Sequence, residues 1–343
     1  MTREPEIVSS VELCLPDGRT LNPLAMGWSR RPLHRANLRG GFARTKRWDY
    51  WAVLAGDFVL SITYANVDYL GIVAVWWADL LSGASGGHEA TIPLARGVHL
   101  PEEPGSVPLH FASRGFAVAL SDDASCTRLL AEWSEKDGRS ARCDLVVDDP
   151  PGHESVNVVI PWGAHRFQYT SKHQARPARG VIELGTRRID VGSAGAEAWG
   201  VLDVGRGRWP YRTRWNWGGG AGRSASGEHV VGIQVGGKWT VGTDFTENGV
   251  IVDGRVSKFG DELEWDYSWD EPLRPWRVRD PAGRLDLVLE TRFDRHARTE
   301  ALLLGTEVHQ VFGRWTGRLV TDEGREIRVE GIQGFAEESR SRW

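Results

Sequence analysis

The sequence predicts an all-β protein built from two tandem copies of one antiparallel unit. Three observations carry this: apolar or alternating runs broken at hairpin punctuation, a composition rich in glycine and tryptophan, and motif pairs that recur in the same order in both halves.

The runs are clearest from Trp51 to Trp77, where WAVLAGDFVLSITYANVDYLGIVAVWW divides into three at Gly56-Asp57 and at Ala65-Asn66-Val67-Asp68. A counterpart, HVVGIQVGGKWTVGTDFTENGVIVDGRV from His229, breaks at Gly236-Gly237 and at Asn248-Gly249. The Asn-Gly pair predicts a type I′ hairpin turn. Helical periodicity is scarce, and its best candidate runs from Ser125 to Ser134. The composition agrees: 41 Gly and 17 Trp among 343 residues suit short strands and tight turns.

The first motif pair is G-x-x-R-x-P, at Gly27, Arg30 and Pro32 and again at Gly205, Arg208 and Pro210. The second sets Arg47-Trp48-Asp49-Tyr50 against Arg214-Trp215-Asn216-Trp217. The third sets Arg142-Cys143-Asp144-Leu145-Val146 against Arg284-Leu285-Asp286-Leu287-Val288. Order and chemistry together predict an internal duplication, with units at 1–195 and 196–343. Small up-and-down barrels of this kind hold one ligand in the mouth.

Composition narrows the function classes. A formal charge of −4 offers no general attraction to phosphate backbones, so nucleic acid is excluded as the default partner. Cys14, Cys126 and Cys143 make an odd set without CxxC spacing, so neither a disulfide framework nor a metal site is expected. Charges at Arg3, Glu4 and Glu6 leave no secretory signal, and the longest apolar run, Leu70 to Leu81, is shorter than the ~20 residues of a membrane span. A soluble cytoplasmic protein follows. No P-loop, strand-to-helix GxGxxG, HExxH or GxSxG element is present, and no cofactor is implied.

The segment GRGRWPYRTRWNWGGGAG, residues 205–222, concentrates rings and arginines. Read as one strand from Arg208, it puts Trp209, Tyr211, Trp215 and Trp217 on one face and Arg208, Arg212, Arg214 and Asn216 on the other. The aromatic face is either core or the wall of a cavity. So many large rings on one face exceed what close packing needs, and they favour a cavity for a hydrophobic small molecule. The glycines from Gly218 then allow close backbone approach or a turn.

Three elements give this chain a family likeness: AWGVLDVGRGRWPYRTRWNWGG from Ala198, RTKRWDYWAVLAGDFVLSITYANVDYLG from Arg44, and the G-x-W-x-G-x-L pattern from Gly313 to Leu319. The chain resembles the bacterial domain-of-unknown-function family 2804, itself distantly similar to two-domain lipocalin-like (calycin-type) proteins that include carotenoid hydratases, AttH-type proteins and small-molecule cyclases. The resemblance implies two tandem lipocalin-like antiparallel β-barrels. In the hydratase-like relatives an Asp-His-x-Trp-Gly motif carries the chemistry. Here Arg214-Trp215-Asn216-Trp217-Gly218 keeps the Trp and Gly and lacks the acid.

Proton-driven chemistry on an apolar substrate needs one carboxyl with a raised pKa. The candidates are Asp203, otherwise an ion-pair partner of Arg206 or Arg208, and Glu247, otherwise a solvated turn residue. The polar segment from His165 to Gly180 adds Tyr169 and Lys172 as ligand-binding candidates, placed between the two units where ligand sites are common. The leading reading is binding, with cofactor-free isomerisation, cyclisation or hydration of a hydrophobic molecule. A lipid or isoprenoid carrier and an interaction module fit the same features.

Overall fold

The alternating runs form strands throughout. The computed structural model describes residues 4–193, 195–301 and 304–342; Arg3, part of the leader argument, lies outside them. Among the described residues there is no α-helix, and one 3₁₀ turn spans Pro23–Ala25. No helix among these residues is long and apolar enough to cross a membrane.

Two curled antiparallel sheets dominate. The main path of the first holds β1 (Thr45–Ala55), β2 (Phe58–Asn66), β3 (Leu70–Asp79), β4 (Ser85–Pro93), β5 (Leu109–Ser113), β6 (Phe116–Asp122), β7 (Cys126–Ser134), β8 (Ser140–Asp148), β9 (Arg166–Leu184) and β10 (Trp199–Arg208). Their spatial order is β4-β3-β2-β1-β10-β9-β8-β7-β6-β5. The second holds β11 (Arg212–Arg223), β12 (Val230–Gly237), β13 (Gly249–Val252), β14 (Arg255–Lys258), β15 (Glu264–Asp266), β16 (Trp276–Arg279), β17 (Leu285–Ala301), β18 (Leu304–Val320) and β19 (Glu326–Arg342). Its order is β14-β13-β12-β11-β19-β18-β17-β16-β15.

The two orders share one plan: a four-strand meander whose first strand pairs with the last strand of the unit. Two of the motif pairs fall on equivalent strands, Arg47–Tyr50 on β1 with Arg214–Trp217 on β11, and Arg142–Val146 on β8 with Leu285–Val288 on β17, which Arg284 immediately precedes. The G-x-x-R-x-P pair does not. Gly27 precedes the short strand Trp28–Ser29, whereas Gly205 lies inside β10, hydrogen-bonded between β1 and β9 in the first sheet.

Three local expectations are corrected. The helix candidate from Ser125 is the strand β7, with Thr127, Leu129, Ala131 and Trp133 buried at a spacing of two. Asn248-Gly249 is not a hairpin turn: Asn248 is buried, its Oδ1 accepts from the Gly236 amide at 2.6 Å, and Gly249 opens β13. The type I′ geometry falls instead at Asp253-Gly254, with φ of +50° and +80°, between β13 and β14. The expected single strand from Arg208 to Trp217 is broken at Pro210-Tyr211, where the chain passes from one sheet to the other.

Each sheet wraps an apolar core. Trp51, Leu60 and Val75 from one side of the first sheet meet Leu129, Leu145 and Ile182 from the other, and Ile233, Leu287, Val311 and Trp315 fill the second. A third apolar layer, with Leu54, Val59 and Val201 against Trp217, Phe312 and Phe335, glues the outer faces of the sheets together.

Candidate functional site

The third layer opens into a cavity of about 250 Å³, walled by both sheets. The interior of the second sheet, by contrast, is packed with apolar side chains. Register explains which side chains reach the cavity. In the first sheet Tyr50, Asp203 and Lys172 stand in one row across β1, β10 and β9. In the second, Trp217, Glu337 and Gln310 stand in one row across β11, β19 and β18. The rows face each other, with the Lys172 Nζ 4.2 Å from the Trp217 ring centroid and the Tyr50 ring 5.7 Å from it, edge-on.

Five indoles line the space, from Trp48, Trp209, Trp215, Trp217 and Trp239. Each donates its N–H to a polar partner: Trp48 to Asp203 at 3.1 Å, Trp209 to Gln168 at 2.8 Å, Trp215 to Glu337 at 2.9 Å, Trp217 to Gln234 at 3.0 Å and Trp239 to Glu247 at 2.8 Å. The rings therefore wall the cavity and aim its carboxylates at once. Two glycines make room for this. A Cβ on Gly205 would sit 2.1 Å from the Trp48 ring, and one on Gly236 would sit 2.1 Å from Glu247 Oε1.

The charges form one cluster. Lys172 lies 2.9 Å from Asp203 and 3.3 Å from Glu247, both buried. Burial works to lower the Lys172 pKa, but the two carboxylates overcome it and hold the ammonium above its ordinary value. Burial raises Glu247, against the pull of Lys172. Among the described residues no cation pairs with Glu337; Trp215 and, at 2.9 Å, the Gln310 amide donate to it. Burial pushes its carboxyl up to about 7, outweighing the Trp215 hydrogen bond and the field of Lys172. Gln168 accepts from Trp209 through its oxygen, while its buried amide nitrogen has no hydrogen-bond partner among the described residues.

Of the residues expected from sequence, Asp203, Glu247, Lys172, Trp209, Trp215 and Trp217 converge here. Asp203 pairs with Lys172 instead of the arginines, and Glu247 is buried, not a solvated turn residue. The other candidates lie elsewhere. Arg208 donates to the carbonyls of Arg39 and Gly40, so it holds a loop. Tyr211 and Arg212 are exposed at the sheet-to-sheet link. Arg214 pairs with Glu338, and Asn216 donates to the Tyr267 hydroxyl, both on the opposite face of β11. Tyr169 alternates away from Lys172 on β9 and packs with Leu13, Leu38 and Phe167. Sequence reasoning missed Trp48, Tyr50, Gln168, Trp239, Gln310 and, above all, Glu337. The tryptophan excess was the one available signal.

No curated protein sequence matches this chain. Among solved structures it is similar to kievitone hydratase from Nectria haematococca, with 10% identity and a TM-score of 0.48 over 99% of this chain and 97% of that one. It is similar also to the AttH-type protein NE1406 from Nitrosomonas europaea, at 14% identity and a TM-score of 0.44 over 87% and 92%. CghA in complex with Sch210972 scores 0.44 at 13% identity over 88% and 89%. The family described as "Domain of unknown function (DUF2804)" matches residues 4–343, and the chain belongs to that family.

Proposed function

We propose that the protein binds a hydrophobic small molecule between its two sheets and transforms it by cofactor-free proton transfer, as an isomerisation, cyclisation or hydration. The observation that carries this reading is Glu337, a buried carboxyl held at about 7 among indoles at a largely apolar cavity. A group whose pKa matches the working pH both gives and takes a proton efficiently. The sequence-level choice of acid thus moves from Asp203 to Glu337. Asp203 and Glu247 are engaged in holding Lys172, and Asp203 also accepts from Trp48 and, at 3.3 Å, from Thr170.

The surroundings fit a substrate that becomes cationic on protonation. Two carboxylates around one ammonium leave the cluster net negative, and each indole face adds about 0.5–2 kcal/mol for a desolvated cation. The Gln168 amide offers a donor to a substrate oxygen, which fixes the molecule's orientation.

The test is native mass spectrometry of the purified protein, followed by incubation of any retained molecule with fresh protein in D₂O. Ligand that co-purifies and gains deuterium with wild type but not with Glu337→Gln is the expected result. Ligand that is retained without deuterium or mass change makes the protein a carrier and sinks the catalytic reading. An empty wild-type protein whose Trp215→Ala variant differs only in stability would make the indoles plain core.

A further inference from the structure

We propose that Asp294, His296, Glu307 and His309 form a binding site for a divalent transition-metal ion on the second sheet, on the face turned away from the cavity. The sequence offered no such site, because the residues are separated by a hairpin and share no motif spacing.

The register brings them together. On β17 and β18, His296 lies directly opposite His309, Asp294 opposite Val311, and Glu307 opposite Arg298. Side chains two apart on a strand share a face, so all four project to one side. Gln310, between His309 and Val311, points to the other side, into the cavity. The metal site and the proposed chemistry therefore lie on opposite faces of the sheet.

The geometry fits a metal centre at each level. One nitrogen or oxygen from each of His296, Glu307 and His309 falls within a 4.8 Å span. His296 Nε2 and Glu307 Oε1 share a hydrogen bond at 2.9 Å, which a bound ion would replace as the nitrogen gives up its proton. Donor atoms around a tetrahedral ion with bonds near 2.1 Å lie about 3.4 Å apart, so small χ rotations close the set. His309 Nδ1 donates to Asp294 Oδ2 at 2.8 Å, which leaves Nε2 of that ring as the lone-pair atom. A carboxylate behind a ligating imidazole is the usual support of a metal-bound histidine. The second Asp294 oxygen is sealed from solvent with no hydrogen-bond partner among the described residues, a negative atom next to the set.

The two imidazole rings stack at 4.2 Å, only 3° from parallel, and two imidazoles beside two carboxylates supply the donor types that a divalent transition-metal ion takes. The Trp269 ring closes one side, edge-on to His309 at 4.5 Å, and His296, half exposed, leaves an entry path. Imidazole with carboxylate selects zinc, cobalt, nickel or copper over magnesium and calcium.

Tag-free, EDTA-stripped protein is titrated with CoCl₂ and with ZnCl₂, followed by calorimetry and, for cobalt, by visible absorption. One-to-one binding is expected, weakened roughly 10-fold or more in His309→Ala and in His296→Gln, and about 10–100-fold in Asp294→Asn. MgCl₂ at the same concentrations should give no heat. His296→Gln changes a half-exposed side chain, so its circular dichroism and melting curve without metal should match wild type, and its loss of binding cannot be blamed on unfolding. Absence of one-to-one binding in wild type overturns the proposal. So does binding that survives undiminished in both histidine variants.

Discussion

Glu337 sits where its protonation state controls both rate and stability. If it delivers the proton, turnover should fall as pH rises through about 7, and a rate profile that stays flat from pH 5.5 to 8.5 would remove it from the mechanism. The stability consequence has a definite sign. A carboxyl whose folded value lies above its unfolded value stabilises the fold below the unfolded value, and that contribution is lost as pH rises through the folded one. For Glu337 the window runs from its ordinary 4.5 to about 7. Across it the fold loses about 3 kcal/mol relative to an unperturbed carboxyl. Glu337→Gln should therefore melt later than wild type at pH 8 and show a shallower decline between pH 5 and 8, read by denaturant melts at each pH. Lys172 gives the opposite case. Its removal in Lys172→Met leaves Asp203 and Glu247 buried without their cation, and about 3–5 kcal/mol should be lost at pH 8. Less should be lost at pH 5, where protonation of the raised Glu247 relieves the repulsion. Equal losses at both pH values would mean that the cluster is not electrostatically coupled.

At the level of strands, β10 shows why the cavity can exist in a closely packed layer. Gly205 lets the Trp48 indole lie flat on the backbone and reach Asp203. Gly205→Ala should push the ring out and cost about 1–3 kcal/mol. Adding Trp48→Ala should recover part of that loss, since the clash has gone, and urea melts of the two single variants and the double variant measure the coupling. Strictly additive losses would mean that the ring does not rest on Gly205. The same elements show what sequence can convey. Alternation over Trp51–Trp77 marked β1 to β3 and their turns, because each residue there reports its own face. Asn248-Gly249 misled for a physical reason: its local turn propensity was overridden by a tertiary hydrogen bond from the Gly236 amide to the buried side chain. Asp203, Glu247 and Lys172 were readable as polar residues in apolar or connector settings, but not as partners, since their pairing depends on register across β9 and β10 and on a loop of the other unit. Glu337 could not be found. In GFAEESRSRW its character depends on which of two adjacent glutamates faces the indoles, and only the β11–β19 register decides that Glu337 does while Glu338 pairs with Arg214.

The whole molecule is organised around the seam between its sheets. Apolar packing is reinforced there by polar ties: Asp57 accepts from Arg292 at 3.0 Å and from Arg314 at 2.8 Å, Gln174 donates to Gln234 at 3.1 Å, and Trp162 donates to the Trp239 carbonyl at 2.8 Å. The N-terminal segment crosses the seam as well, where Glu4 pairs with Lys258 at 2.6 Å. Because both sheets contribute cavity residues, neither can hold the ligand alone. The division of the chain follows from β10. A boundary at 195/196 assigns that strand to the second unit, yet it hydrogen-bonds along its length between β1 and β9. We therefore place the boundary in the link at Pro210-Tyr211, where neither sheet loses a strand. Co-expression of fragments tests this directly. Residues 1–209 with 210–343 should yield a soluble one-to-one complex on size exclusion, because each fragment keeps its sheet and the seam supplies the affinity. Residues 1–195 with 196–343 should yield far less, because the first fragment carries two unpaired strands in the middle of its sheet, a template for aggregation until the missing strand inserts from the other chain. The reverse ranking of yields would show that β10 belongs energetically to the second unit, and the boundary would return to residue 195.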